Sequence, residues 1–473
     1  MNPLNRSSAD YREAFYRVSE LALELLADLN VRPSFPNISG EQSLEQFVRP
    51  LPEQGIGNAA FDDLQKVVDA SRLPSPRFFG YVLGSGDPIA ASADLLASVL
   101  NQNVTAWLSG PAAAAIEEVV IAWLAQAIGC RGFVGSLTGG GSTANLMGLA
   151  MARESRTPAN ESGVARPGIV YASEQVHMSI PKAVALLGLG RQNLRLIPCD
   201  DTFRIRLDLL RHAIAADLHA GRPPIAVVGT AGTVATGAID HLRELAGIAA
   251  RLGAWFHIDG AYGALAAIAR PELFDGLSLA DSISLDPHKW LYQPLDCGCL
   301  LYRDRGAARK AFSFTGDYAK SLLESPTESF AFFEETLELS RRFRALKLWL
   351  SLRYHGLAAF RSQIENDLEL AQHLARRIEH EPELRITAPV PLSAVCFRFV
   401  PDSQALSDEK LDALNLRILN RVQRGGRVFI SNATVRGRFC LRACIVNHRS
   451  TAVDINAVTD EVVKVGHEIL SEA

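Results

Sequence analysis

Ser282-Ile283-Ser284-Leu285 is a β-rich run that ends in the turn-forming pair Asp286-Pro287, and His288-Lys289-Trp290 follows at once. Lysine ordinarily belongs on solvated faces, so one set between a histidine and a tryptophan at a strand end is partly withdrawn from water. Withdrawal favours the neutral amine, which is a nucleophile toward a carbonyl carbon. Lys289 is therefore the candidate attachment point for an aldehyde cofactor, and pyridoxal 5′-phosphate, held as a Schiff base, fits that chemistry. Taken alone, a His-Lys pair is more often a surface lysine. The assignment depends on what surrounds it.

Three further stretches supply matching chemistry. Leu137-Thr138-Gly139-Gly140-Gly141-Ser142-Thr143-Ala144-Asn145 lies between a short apolar run and a helical pattern. Glycines at a helix N-terminus let backbone N–H groups approach an anion, and the helix dipole and hydroxyls favour phosphate there. The spacing matches neither a Walker motif nor the dinucleotide fingerprint, and a plain loop-to-helix turn is the competing reading. Asp259 ends the apolar run Phe256-His257-Ile258 and precedes small residues, among them Ala261. A carboxylate there either caps a helix or keeps a pyridinium nitrogen protonated. His177, in Ser173-Glu174-Gln175-Val176-His177, precedes a helix and becomes a stacking partner only if a ring cofactor is present. Phe78-Phe79-Gly80-Tyr81 beside a Gly-rich turn, with Val82 and Trp107, is the candidate substrate wall, against the alternative of core packing.

Strand and helix patterns alternate from Gly168 to Tyr302, as expected of an α/β domain with a mainly parallel sheet. Ligands gather at the carboxyl ends of such strands. His177, Thr230 to Thr233, Asp259 and Lys289 all fall just past expected strand ends. Amphipathic spacing predicts an N-terminal helix over 9–29 and another from Ala59 to Ala70, with irregular chain over 31–57. After Tyr302, residues 312–335 lack periodicity and read as a long loop. Arg341-Arg342-Phe343-Arg344 is expected to begin a helix reaching Tyr354, and a smaller α+β unit closes the chain.

The bulk composition narrows the function classes. The chain has 473 residues, a net charge of −4 with both signs interspersed, and seven cysteines. No basic patch argues for nucleic acid, and no run approaches the ~18 apolar residues of a membrane span. The scattered cysteines read as reduced thiols of a cytoplasmic protein, and Cys297 and Cys299 as packing rather than metal ligands. No metal site is expected.

These residues together resemble the group II pyridoxal-phosphate-dependent amino-acid decarboxylases, from Phe78-Phe79-Gly80-Tyr81 through Ser173-to-His177, His257-to-Gly263 and Asp286-to-Trp290 to Leu441-Arg442-Ala443-Cys444. The resemblance implies a fold-type I α/β structure with a seven-stranded sheet. It divides the chain into an N-terminal docking segment (1–87), a large cofactor domain (88–347) and a small C-terminal domain (348–473). It implies a homodimer with interfacial active sites, and decarboxylation of an L-amino acid, aromatic or related, to an amine and CO2. Lys289 takes the place of the cofactor lysine, Asp259 that of the partner of the pyridine nitrogen, and His177 and Ala261 those of the two ring faces. Gly141, Ser142, Ser282 and His288 match cofactor-binding positions. Asp286 stands where some members carry asparagine, and Val234 where the family has threonine, beside Thr233. Counting back from Arg341 puts Phe332 at the position of the family's loop tyrosine, with Tyr318 the other candidate. A phenylalanine there raises a second reading, decarboxylation coupled to oxidative deamination, giving an aldehyde.

Overall fold

The computed structural model describes residues 4–314, 325, 328–402 and 406–472. Seven strands form the principal sheet: β1 (Val134–Thr138), β2 (Ile169–Ser173), β3 (Leu194–Ile197), β4 (Pro224–Thr230), β5 (Trp255–Asp259), β6 (Ser282–Leu285) and β7 (Gly298–Tyr302). Their order is β1-β7-β6-β5-β4-β2-β3, and β7 alone runs against the others. Strands β2, β5, β6 and β7 are buried along their whole length. Strands covered on both faces carry near-continuous apolar runs, which is why their positions were readable in the sequence.

The helix Gly141–Arg156 crosses one face of this sheet. Its approach depends on Gly148, where a Cβ would lie 2.6 Å from His257 Cε1 and 3.2 Å from Ser282 Oγ. The turn entering the helix needs Gly140, whose φ of 137° is closed to residues with a side chain.

The remaining strands, β8 (Leu384–Ile386), β9 (Ala394–Phe399), β10 (Ser431–Val435) and β11 (Arg438–Cys444), form an antiparallel sheet ordered β10-β11-β9-β8. The long helices Leu357–His380, Asp408–Gly425 and Ala452–Ser471 contribute to its core. Among the described residues no helix is long and apolar enough to cross a membrane.

Three expectations change. Within 31–57 a short helix forms, Gly40–Phe47, because Ser39 and Gln42 close a capping box around its first turn. The expected helix Ala59–Ala70 is split into a 3₁₀ turn, Gly57–Asp63, and a short α-helix, Leu64–Asp69. Helix Ala345–His355 starts after the arginine run instead of within it. Arg341 is 2% exposed and pairs with the equally buried Glu117. It also donates to the carbonyls of Val104 (2.7 Å) and Leu137 (3.0 Å). Those bonds take the arginine away from any helical surface.

Candidate active site

The carboxyl ends of β1, β4, β5 and β6 open on a cavity of about 260 Å³. Lys289, Asp259, His177, Ala261, Gly141, Ser142 and His288 all line it, so most of the residues singled out in the sequence converge on one place. Topology explains the convergence, since each follows or ends a strand and the strands are neighbours in the sheet.

Lys289 Nζ lies 2.9 Å from Asp286 Oδ2, and the same oxygen is 3.5 Å from His288 Nε2. The His288 Nδ1–H donates to the Cys297 carbonyl at 2.8 Å, which fixes its ring, and burial pulls its pKa down. Asp259 Oδ1 accepts the Ala261 N–H (3.3 Å) and the Ser284 hydroxyl (3.2 Å). Its Oδ2 has no protein donor among the described residues and is free to receive one from a ligand. His177 is likewise held below its ordinary pKa, chiefly by burial; Asp259 opposes the shift and Lys289 adds to it.

The helix Gly141–Arg156 points its N-terminus at this cavity. Gly140 offers no capping side chain. The N–H groups of Thr143 and Ala144 are used by the Gly140 carbonyl, whereas those of Gly141 and Ser142 have no acceptor among the described residues. The wall is built for close approach, because a Cβ on Gly141 would meet Ala261 Cβ at 2.6 Å and Asp286 Oδ2 at 3.1 Å. Two buried polar atoms on lining residues, Asp286 Oδ1 and Thr230 Oγ1, have no hydrogen-bond partner among the described residues. A free carboxylate oxygen, a nucleophilic amine, unsatisfied helix N–H groups and an imidazole around one cavity match pyridoxal phosphate group by group.

Other sequence candidates lie elsewhere. Ser282 is fully buried beneath the cavity and bonds to His257 Nδ1 and Trp255 Nε1, both at 2.8 Å. Val234 lines the cavity, and its carbonyl accepts Arg442 Nη1–H at 2.6 Å; the Thr233 hydroxyl is used within its own loop. Tyr81, Val82 and Trp107 are not among the lining residues. Tyr81 is 55% exposed at a φ of 60° and leans on Phe78 and Phe429. Trp107 donates its backbone N–H to the Phe330 carbonyl, and Val82 packs on the large core. Phe332 is a correction of a different kind. It is 1% exposed, with the Arg341 guanidinium 4.3 Å from its ring centroid and Phe330 packed edge-on. The 330–333 segment is tied to 105–107 by backbone bonds, so Phe332 belongs to the core. Tyr318 lies outside the described residues. Asn145 and Tyr262, not singled out from the sequence, also line the cavity.

This fold and this site define a fold-type I pyridoxal-phosphate enzyme. The family model for the pyridoxal-dependent decarboxylase conserved domain matches residues 50–400. An aromatic-L-amino-acid decarboxylase of Bacillus atrophaeus is 30% identical over 98% of this chain and 97% of its own. A tryptophan decarboxylase of Camptotheca acuminata is 33% identical over 92% and 90%. Among solved structures, Oryza sativa TDC with PLP and tryptamine superposes with a TM-score of 0.92 at 28% identity, covering 99% of both chains. Rhodiola rosea 4-hydroxyphenylacetaldehyde synthase gives 0.88 at 26%, covering 99% of this chain and all of the other. The chain belongs to the pyridoxal-dependent decarboxylase family and is a pyridoxal-phosphate-dependent amino-acid carboxy-lyase.

Proposed function

We propose that this enzyme decarboxylates aromatic L-amino acids to the corresponding amines. The observation that carries the reading is the grouping of Lys289, Asp259, His177 and the Gly141–Ser142 helix end around one cavity. The aromatic class is supported by the relatives, which include tryptophan, tyrosine and aromatic-L-amino-acid decarboxylases.

Pyridoxal phosphate, when bound, supplies an electron sink for the pair left behind by the departing carboxylate. The protein's residues do the rest. Lys289 Nζ is the amine that would hold the cofactor's aldehyde carbon. Asp259 Oδ2 holds the proton of the pyridine nitrogen, which keeps the sink strong. The N–H groups of Gly141 and Ser142 bind the phosphate. His177 and Ala261 would confine the cofactor within the cavity, and His288 and Asp286 orient the lysine.

Amine formation takes precedence over the aldehyde-forming reading, because the residue that suggested the latter, Phe332, packs in the core. We further propose a homodimer, a cytoplasmic location, and units bounded at 1–87, 88–347 and 348–473. The two separate sheets support the last of these.

The test is turnover of a panel of aromatic, acidic and basic L-amino acids by the purified protein with added pyridoxal phosphate. CO2, amine and hydrogen peroxide are to be measured together. Amine and CO2 in equal amounts from aromatic substrates is the expected result. Peroxide with aldehyde would move the enzyme to the oxidative branch, and turnover of acidic substrates alone would overturn the aromatic assignment.

A further inference from the structure

Beneath the cavity runs an unbroken line of side-chain hydrogen bonds that begins in the sheet and ends on His177. Trp255 Nε1 contacts Ser282 Oγ at 2.8 Å, and Ser282 Oγ contacts His257 Nδ1 at 2.8 Å. His257 Nε2 is 2.9 Å from Asn145 Oδ1, and Asn145 Nδ2 is 2.8 Å from Ser179 Oγ. Ser179 Oγ is 2.8 Å from His177 Nδ1. Asn145, Ser179, His257 and Ser282 are all 3% exposed or less. Water does not compete for these groups, so each bond needs one donor and one acceptor.

That requirement gives the line a direction. At one end, indole N–H can only donate, so Ser282 Oγ accepts from Trp255. At the other end the backbone N–H of Ser179 also points at His177 Nδ1, at 3.2 Å, a weaker contact that agrees with a nitrogen carrying no proton. The Ser179 hydroxyl must then give its proton to Nδ1, and the Asn145 group facing it must be the amide NH2. The Asn145 oxygen is left facing His257 Nε2, which must donate. Burial holds His257 neutral, with its pKa pulled to about 4, so its one proton is on Nε2. Its Nδ1 accepts from Ser282, and the two ends meet without conflict.

We infer that Asn145, His257, Ser179 and Ser282 are positioning residues that lock His177 in the tautomer protonated on Nε2. His177 then presents a neutral ring with a single donor, and Nε2 has no acceptor among the described residues. The consequence for catalysis rests on the decarboxylase reading, whereas the tautomer itself is a property of the chain alone. A neutral ring adds no positive charge to the cavity, and its Nε2–H is available to an anionic group of the substrate or cofactor.

The experiment is long-range proton–nitrogen correlation on coenzyme-free, full-length protein labelled with 15N-histidine, the His177 signals being assigned by their loss in His177→Asn. The expected pattern is a protonated Nε2 and a bare Nδ1 at neutral pH. Asn145→Asp presents only acceptors, turns the Ser179 hydroxyl away, and is expected to move the His177 proton to Nδ1. Ser179→Ala leaves only the longer backbone donor and is expected to give mixed tautomers. With coenzyme restored, each variant should lose roughly 10- to 100-fold in kcat, the scale of a misplaced active-site group, with KM little changed. A wild-type His177 protonated on Nδ1 or on both nitrogens would overturn the proposal. So would a tautomer unchanged in Ser179→Ala, and that arm stands even if Asn145→Asp does not fold. A failed substrate panel with an intact Nε2 tautomer would count against the decarboxylase reading and not against the relay.

Discussion

Lys289 and Asp259 were legible as chemistry because each places a costly polar group at the end of an apolar strand, where only a function or a dedicated partner keeps it. Replacing Lys289 with alanine removes the amine while leaving a small side chain at a site 14% exposed. The expected result is loss of the yellow absorbance of the bound coenzyme and a fall in kcat of more than roughly 10³-fold. Retained absorbance that survives gel filtration would mean another amine holds the cofactor. His257 makes the opposite kind of statement, about stability. Its folded pKa, about 4, lies below the ordinary value of 6.5 because burial penalises the charged ring. Between those values the unfolded chain binds a proton that the folded chain refuses, so stability falls as pH falls through that window. The full loss is about 3 kcal/mol. In urea unfolding, the wild type should lose more stability than His257→Gln on going from pH 7 to pH 5. Equal losses would show that His257 is not held neutral.

At the scale of elements, cross-strand register decides which side chains reach the cavity. His257 is opposite Ser282 and Asp259 is opposite Ser284, so the two pairs share one face of the sheet. They are two residues apart, about 7 Å along the strand. Asp259 of the upper pair lines the cavity, and the lower pair is roofed by helix Gly141–Arg156. The family resemblance sets Ser282 among the cofactor-binding positions, whereas register puts it one layer beneath the cavity. Phe332 lies in the core; gapless counting through an aperiodic stretch carries no information about which residue packs inward. The strands and the glycine-rich start of helix Gly141–Arg156 were readable from apolar runs and glycines, while the lateral bonds of Asn145 had no linear signature. Gly148 is the position where helix and sheet touch. Gly148→Ala pushes a methyl to within 2.6 Å of His257 Cε1 and 2.7 Å of its Nδ1. The expected cost is about 1–3 kcal/mol in chemical denaturation, with weaker coenzyme retention because the helix whose N-terminus lines the cavity must shift. An unchanged midpoint would mean the interface has slack that the close contact denies.

At the scale of the whole molecule, the N-terminal segment is set apart by the apolar side chains it exposes. Helix Ser8–Asp28 begins with a full capping box at Ser7 and Asp10 yet contains no buried residue. Tyr11, Phe15, Tyr16, Val18, Leu23 and Leu26 are all exposed, and so are Leu44, Phe47, Val48, Leu51 and Ile56 further on. A single chain that left this much apolar surface in water would forgo roughly 25 cal/mol for each Å² it could bury. An apolar face of this size marks an association surface. A second copy of the chain is the occupant that would also bring Tyr81 and Trp107, outside the cavity of their own chain, toward a shared site. Sedimentation should therefore give a particle of twice 51.4 kDa. The double substitution Phe15→Asp with Leu26→Asp places two charges on the face without touching the core of either sheet. It should shift the protein toward monomer and lower activity in parallel, with the loss reduced at high protein concentration, because mass action restores the pair. A variant that sediments as the wild type does would show that this helix is not part of the dimer contact, and a fully active monomer would show that each cavity is complete in its own chain.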